Sequence, residues 1–206
     1  MKAVHHNTGG IVYVSETSDS LDRRLHPHGY CHNVKLEMRD EAEVLFPEGN
    51  CRCTAFVMES IAAWLGMCDP ERLAAIHFNC GHWDAARFLD DDLPVTPLSV
   101  YAENVGRILS YLKRRFPDAK ISFATTTPMN PDPLKANVGR TTDELREYNR
   151  VGTEAAIRAG AEIDDLFALT ENWPTEAFLD YCHFTDESNE ILGKAVTEFL
   201  RKQLKK

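Results

Sequence analysis

Apolar residues form two alternating patterns along the chain, short continuous runs and longer segments with helical spacing. Five short runs rich in β-branched and aromatic residues predict strands, at residues 11–14, 42–46, 73–78, 121–124 and within 161–169. Between them, apolar residues recurring every three or four positions predict amphipathic helices, at residues 29–40, 54–65, 98–112 and 191–200. Strands that alternate with helices predict a three-layer α/β/α sandwich, with about five parallel strands covered on both faces.

Turn and capping residues divide this pattern into elements. The run Thr141-Thr142-Asp143-Glu144 is a capping box that opens another helix, which Gly160 ends. Pro117 ends the helix before it. The first strand is followed neither by a G-x-G-x-x-G sequence nor by a Walker loop, so a nucleotide-binding fold has little support.

Composition narrows the class of protein. The chain has 206 residues, of which 43% are hydrophobic and 27% charged, as is usual for a globular protein. We expect a flexible leader at residues 1–10 without a secretory signal, a single domain at residues 11–206 and a cytoplasmic location. Because no apolar run approaches ~20 residues, we expect no membrane partner. The net charge of -9 argues against a nucleic acid as partner.

Cysteine and histidine residues raise the question of a metal. Cys51 and Cys53 are separated by one residue, but no second pair completes a zinc site at the usual spacing. The histidines at positions 5, 6, 26, 28 and 32 lie mostly in polar sequence without a clear period, and we expect their side chains to be solvated. We therefore predict no metal and no cofactor, and we expect the six cysteines to be reduced thiols. Cys182 is the functional exception, because it is adjacent to His183.

A short stretch near the C-terminus carries the most specific chemistry. Asp180 precedes His183 by three residues, directly before Thr185, a good N-cap for the final amphipathic helix. A carboxylate in that position can accept a hydrogen bond from one imidazole nitrogen, which leaves the other nitrogen to act as a general base. The same two residues are also compatible with an ordinary surface loop.

The residues around this stretch resemble those of a known family. The pattern D-x-x-H-F-T-x-E-x-N-x-I-L, beginning at Asp180, is similar to the last block of the GDSL/SGNH hydrolases, which are esterases and lipases. Residues 76–84 are similar to the third block, a strand ending in G-x-N-D, and residues 119–128 to the strand and loop that follow. The resemblance covers roughly residues 29–204. It implies a flavodoxin-like sandwich and a Ser-His-Asp triad in which His183 is the base and Asp180 its orienting acid.

Several residues near the ends of the second and third strands are candidates for stabilising an oxyanion. The family uses an amide side chain in its third block, but Trp83 stands at that position here, where it is a candidate for either core or substrate wall. Asn79, two residues before Gly81, is the nearest amide, and it is equally compatible with capping the strand end. Gly49 or Asn50 offers a backbone donor, although Pro-x-Gly-Asn is also an ordinary turn. Asp84 is expected to brace the loop.

The nucleophile segment departs most from the family. The register set by Gly29-Tyr30 places Arg23, Arg24 and Leu25 where Gly-Asp-Ser is expected, and Ser20 is the fallback nucleophile. Residues 22–28 can be encoded by codons that, read one base later, give Thr-Gly-Asp-Ser-Ile-Arg-Met. Residues 18–21 can likewise shift to Val-Ile-Leu-Leu. We hypothesise that residues 16–28 are a frame-shifted reading of the nucleophile segment, so that the chain as written hydrolyses esters poorly or not at all.

Three functions follow from these observations. The first is a serine ester hydrolase acting on small acyl esters, with acetylated carbohydrate as a candidate substrate. The second is a catalytically impaired or inactive member of the same fold that binds such a ligand. The third is a thiol-based redox or metal protein using Cys51, Cys53 and Cys182. The expected partner is a small-molecule ester, and the oligomeric state stays open.

Overall fold

The five strands of the described residues form one parallel sheet, as predicted. The computed structural model describes residues 11–15, 29–47, 49–66, 68–89, 92–135 and 139–206. The strands are β1 (Ile11–Ser15), β2 (Glu43–Leu45), β3 (Leu73–Asn79), β4 (Lys120–Ala124) and β5 (Glu162–Asp164). They are ordered β2-β1-β3-β4-β5 and every pairing is parallel.

Helices cover both faces of this sheet. They are α1 (Gly29–Glu37), α2 (Thr54–Leu65), α3 (His82–Ala85), α4 (Leu98–Arg115), α5 (Thr142–Arg158), α6 (Leu166–Thr170) and α7 (Asp186–Leu204). Helix α1 packs against α7, and α4 packs against α2 and α5. The two cores lie on opposite faces, since Val12 belongs to the α1 and α7 core and its neighbour Tyr13 to the other. The predicted three-layer sandwich is confirmed.

Capping residues set the bounds of the helices that flank the site. The Thr141 hydroxyl accepts a hydrogen bond from the Glu144 N–H at 3.2 Å, and the Glu144 carboxylate accepts one from the Thr141 N–H at 2.9 Å. The predicted capping box is therefore present. The Thr185 hydroxyl accepts from the Ser188 N–H at 3.2 Å, so α7 begins directly after the Asp180 stretch.

The apolar run at residues 161–169 contains both a strand and a helix. Strand β5 ends at Asp164, and the side chain of Asp165 accepts a hydrogen bond from the Ala168 N–H at 3.1 Å, which opens α6. A short apolar run does not distinguish strand from helix by its spacing, so the cap decides where one becomes the other.

The strand order fixes where a ligand site is expected. Strand β2 lies on one side of β1, and the next strand in the chain, β3, lies on the other side. The direction in which strands are added therefore reverses between β1 and β3. In open parallel sheets the crevice at such a reversal, outside the carboxyl ends of the strands, is where ligands bind. Residues 16–28, which follow β1 and include Ser20 and the whole frame-shift hypothesis, lie outside the described residues.

None of the described helices has the length and apolar character needed to cross a bilayer.

Candidate active site

A closed turn presents Asp180 and His183 directly before α7. Phe178 and Phe184 form an antiparallel bridge, and the Leu179 N–H donates to the His183 carbonyl at 2.7 Å. The two phenylalanine rings also pack at 4.7 Å. The bridge and its aromatic packing fix both ends of the segment, so the two polar side chains sit on a turn whose geometry is set locally.

The predicted hydrogen bond between Asp180 and His183 is present. One oxygen of the Asp180 carboxylate lies 2.7 Å from His183 Nδ1. The other oxygen accepts from the backbone N–H groups of Cys182 at 3.0 Å and His183 at 2.9 Å. Burial acts to raise the pKa of Asp180, but these bonds outweigh it and hold the pKa well below its usual range. The charged carboxylate therefore fixes Nδ1 as the donor nitrogen and leaves proton transfer to Nε2.

The loop after β4 holds this turn in place. The side-chain amide of Asn130 donates to the Asp180 carbonyl at 2.7 Å, and the Asn130 N–H donates to the Tyr181 carbonyl at 2.8 Å. Asn130 also accepts from the Thr175 hydroxyl at 2.7 Å. The Asp180–His183 turn is thus attached to the carboxyl edge of the sheet, where the resemblance implied it should lie.

Arg140 joins the same turn to the loop after β3. Its guanidinium is buried, donates to the His82 carbonyl at 2.9 Å and lies 3.6 Å from the Cys182 sulfur. It also lies over the Tyr181 ring, 5.6 Å from the ring centroid. Because the loops that carry Gly81 and His183 are far apart in sequence, this cation is a direct link between the two halves of the site.

Gly81 allows the loop after β3 to pass close to the end of β4. Its φ is +149°, and a Cβ at this position would lie 2.3 Å from the Thr126 hydroxyl oxygen. That hydroxyl donates to the Cys80 carbonyl at 2.7 Å, and Asn149 on α5 exchanges two hydrogen bonds with the Thr126 backbone. Any side chain at position 81 would force these groups apart.

His82 is a buried neutral imidazole beside the pair. Burial lowers its pKa well below the usual range, and the charges of Arg140 and His183 lower it further. Its Nε2 lies 3.4 Å from the Thr127 hydroxyl, and its Nδ1 has no hydrogen-bond partner within the described part of the chain. His82 is therefore a neutral polar group next to His183 that sequence analysis did not select.

Asp84 contacts the start of α2 and not the Asp180–His183 turn. Its carboxylate accepts from the Thr54 hydroxyl at 2.6 Å and from the Thr54 N–H at 3.0 Å. The Thr54 hydroxyl in turn accepts from the Asn104 amide at 3.0 Å. Burial raises the pKa of Asp84 to about 6, although the bonds from Thr54 lower it. These contacts favour the expected bracing role.

The residues predicted to stabilise an oxyanion differ in whether their donor groups already have a hydrogen-bond partner. The Asn79 amide donates to the Ala124 carbonyl at 2.9 Å and ties the ends of β3 and β4, as the strand-capping interpretation requires. Asn50 accepts from the Arg52 N–H at 2.6 Å in the turn that includes Gly49, while its own Nδ2 is buried and has no partner among the described residues. Trp83 is half-buried and packs against the exposed Phe88 ring at 5.1 Å, so it is a surface group and not core.

The sequence pattern did not indicate Arg140, His82, Asn130 or Asn149. Arg140 directly precedes the capping box, and Asn130 and Asn149 lie in an ordinary loop and helix. Their roles depend on which loops the sheet order brings together, and their local sequence carries no signal of it. His82 lies within the recognised third block and was the only one of the four that a motif could have indicated.

A second histidine–aspartate pair lies on the sheet face that α1 and α7 cover. His77 Nε2 is 2.9 Å from Asp164 Oδ2, and the His77 side chain is fully buried between the Tyr30 and Phe199 rings. A groove of about 630 Å³ between α2, α4 and α5 is lined by Ile61, Arg107 and Arg158 among others, and shares no residue with the Asp180–His183 turn. Neither feature contributes to the candidate site.

No disulfide bond joins any of the six cysteines, all of which lie among the described residues.

Comparisons with known proteins give the sequence relatives and the fold of this chain. No protein-family model matches the chain. The GDSL esterase/lipase CPRD49 of Arabidopsis thaliana is 25% identical over 118 residues, which are 52% of this chain and 46% of that relative. The chain spans about half the length of the curated relatives it matches.

Solved structures match the fold over nearly the whole chain. A lipase/acylhydrolase from Enterococcus faecalis has a TM-score of 0.71 at 16% identity, over 95% of this chain and 96% of that one. The acetyl xylan esterase AlAXEase has a TM-score of 0.71 at 10% identity, over 91% and 98%. At these identities the structures establish the fold, and the curated relatives add the sequence resemblance. The chain is thus similar in sequence to GDSL esterases/lipases over about half its length and shares the SGNH-hydrolase fold over nearly all of it.

Proposed function

We propose that the protein is a serine ester hydrolase of the SGNH type that acts on small acyl esters. The hydrogen bond of 2.7 Å between His183 Nδ1 and the Asp180 carboxylate carries this proposal. The turn that holds the pair is bound to the loop after β4 through Asn130 and to the loop after β3 through Arg140. Both loops lie at the sheet edge where α/β proteins bind ligands.

The two residues have distinct roles in the proposed reaction. His183 Nε2 takes the proton from a serine hydroxyl as that oxygen attacks the ester carbonyl, and later gives the proton to the leaving alcohol. Asp180 stays ionised, holds Nδ1–H and stabilises the imidazolium that forms. The low pKa of Asp180 supports this role, since the carboxylate keeps its charge throughout the pH range in which a histidine base works.

The Asn50 amide is the proposed side-chain donor to the oxyanion. Its Nδ2 is buried without a partner among the described residues, and it follows β2, which neighbours β1 in the sheet. The Asn79 amide is already used between β3 and β4. A buried donor that gains its first acceptor in the transition state contributes to the rate, because nothing is lost in the ground state.

The nucleophile stays a prediction from sequence. A serine directly after β1 would lie between the loops after β2 and β3, which fits the family's Gly-Asp-Ser position. The register set by Gly29-Tyr30 places Arg23-Arg24-Leu25 where the family has Gly-Asp-Ser, and the nearest serine in an Asp-Ser-Leu context is Ser20. We therefore keep the frame-shift hypothesis for residues 16–28 and expect weak or absent turnover. The coding DNA tests it directly, since codons that do not give Gly-Asp-Ser in the shifted frame refute it.

A restored segment gives the decisive activity test. In this segment-restored variant, residues 18–21 become Val-Ile-Leu-Leu and residues 22–28 become Thr-Gly-Asp-Ser-Ile-Arg-Met. Hydrolysis of p-nitrophenyl acetate, butyrate and octanoate is measured for this variant, for the chain as written and for Ser20→Ala. We expect turnover to rise in the segment-restored variant and to vanish when His183→Ala is added. Turnover by the chain as written that Ser20→Ala abolishes would instead establish Ser20 as the nucleophile.

The runner-up is an SGNH-fold protein that binds an ester ligand without cleaving it. The absence of Gly-Asp-Ser in the sequence as written favours it. It becomes the better explanation if the segment-restored variant folds and still hydrolyses none of the esters. Acetylated carbohydrate is the proposed substrate class in either case, supported by the fold shared with an acetyl xylan esterase. The cytoplasmic location stays a prediction from the sequence.

A further inference from the structure

The Asp180 turn brings together three different metal-binding groups. One ligand atom each from Asp180, Cys182 and His183 lie within 4.8 Å of one another. Zinc binds sulfur at about 2.3 Å and nitrogen or oxygen at about 2.0 to 2.2 Å, so donors on one ion are separated by roughly 3 to 4.5 Å. The three side chains are already near that spacing. They are also the three kinds of ligand that zinc prefers.

We propose that Asp180, Cys182 and His183 form a binding site for a thiophilic divalent cation such as Zn²⁺, with the fourth position filled by solvent. The site differs from the Cys51 and Cys53 site considered from sequence. It is built from the catalytic pair and the cysteine between them, so an ion bound here is an inhibitor of the proposed hydrolase. The binding itself does not depend on the proposed function.

The turn holds the three ligands before any ion arrives. Both the Cys182 and His183 N–H groups donate to one Asp180 oxygen, and the Phe178–Phe184 bridge closes the segment. Little conformational entropy is lost when a fixed turn binds an ion, which favours binding by a short sequence. The side chain of Cys182 is buried beside Arg140, and its sulfur leaves a weak contact of 3.6 Å to reach the ion.

Binding replaces protons with the ion. Cys182 binds as thiolate and His183 binds through Nδ1, so the thiol proton and the Nδ1 proton pass to solvent. The separation of 2.7 Å between Nδ1 and the Asp180 oxygen opens to about 3 Å to admit the metal. The hydrogen bond that orients His183 is then lost, which is why occupancy and hydrolysis exclude each other.

Isothermal titration of ZnCl₂ into the full chain, reduced with a phosphine, tests the site without any ester substrate. We expect one Zn²⁺ per chain, at least about tenfold weaker binding in Cys182→Ser, and unchanged binding in the matched variant Cys53→Ser. Cobalt(II) should show a thiolate charge-transfer band that Cys182→Ser removes. The absence of binding, full binding in Cys182→Ser, or its loss in Cys53→Ser would each overturn the proposal.

Thiol labelling keeps the test decisive if Cys182→Ser does not fold. In the unaltered chain, Zn²⁺ should slow alkylation of Cys182 by iodoacetamide, as read by peptide mass spectrometry, while labelling of Cys53 stays the same. The reaction time is chosen so that buried Cys182 is labelled in the metal-free chain, and equal labelling with Zn²⁺ at that time would refute the site. Because neither measurement uses hydrolysis, failure here is distinct from failure of the proposed esterase activity.

Discussion

The chain contains two histidine–aspartate pairs with nearly equal separations in different surroundings. His183 and Asp180 are 2.7 Å apart, with side chains 10% and 37% exposed, on a turn at the carboxyl edge of the sheet. His77 and Asp164 are 2.9 Å apart, with side chains 0% and 12% exposed, beneath α1 and α7. Distance alone therefore does not distinguish the proposed catalytic pair from a pair in the core.

The hydrogen bonds around each carboxylate and imidazole make the distinction. Asp180 accepts two backbone N–H groups in addition to the imidazole, and its pKa is held low by those bonds. His77 contacts the Tyr30 and Phe199 rings, and its Nδ1 has no partner in the described part of the chain. A histidine that transfers protons needs one ring nitrogen bonded to the carboxylate and the other ring nitrogen within reach of a substrate.

The largest expected difference is in turnover. In the segment-restored variant, His183→Ala should lower kcat for p-nitrophenyl acetate by about 10³-fold or more, because it removes the proposed base. The free energy of unfolding should fall by only about 1 kcal/mol, because the substitution removes one hydrogen bond to Asp180 and a mostly buried ring while the fold stays intact. His32→Ala, on the exposed side of α1, is the control. Retained turnover in His183→Ala would end the triad assignment.

The second pair should show the opposite response. His77→Ala leaves the Asp164 carboxylate without its partner and opens a cavity against Tyr30 and Phe199, so we expect a loss of about 3 kcal/mol in the free energy of unfolding. Urea unfolding followed by circular dichroism measures it, again beside His32→Ala. A stability equal to that of the control would show that the buried pair contributes little.

Asp84 can be compared with Asp180 and Asp164 because it is a buried carboxyl without a histidine partner. Its folded pKa of about 6 lies above the ordinary 3.8, so the folded chain holds the proton more tightly than the unfolded chain. The contribution of Asp84 to the free energy of unfolding, measured relative to Asp84→Asn, is therefore present at low pH and is lost as the pH rises through 6. We expect the difference in unfolding free energy between the two proteins to shift by about 2 kcal/mol between pH 4.5 and 7.5. A difference that does not vary with pH would contradict this.

Asn130 gives the smallest expected effect. Asn130→Ala removes the hydrogen bond from its amide to the Asp180 carbonyl, so we expect a loss of about 1 kcal/mol in stability. In the segment-restored variant, kcat should fall several-fold with little change in KM, since the turn that orients His183 loosens. Asn172→Ala, at an exposed position, is the control. An unchanged kcat would show that the turn keeps its geometry without Asn130.

Much of the fold was predictable because its signals are local. Apolar spacing located each of the five strands in the described part of the chain, and the Thr141 capping box and the Thr185 cap placed the starts of α5 and α7. The Asp180–His183 pair was predictable for the same reason, because its members are three residues apart.

Other parts of the site depend on distant residues. The contact of Arg140 with the His82 carbonyl joins positions 58 residues apart, and the close approach of Gly81 to Thr126 depends on β3 lying beside β4. Asn79 was assigned two equal roles because only the position of the Ala124 carbonyl decides between them. Side chains whose roles arise from strand order cannot be read from spacing alone.

The sequence separation within each pair has a consequence for folding. Asp180 and His183 lie within one turn, so their hydrogen bond can form as soon as the Phe178–Phe184 bridge closes. His77 and Asp164 are 87 residues apart and on strands separated by β4, so they meet only when the sheet is assembled. The NMR signals of the two imidazole rings should therefore report different stages of folding. The signal of His183 should follow closure of the turn, and the signal of His77 should follow completion of the sheet.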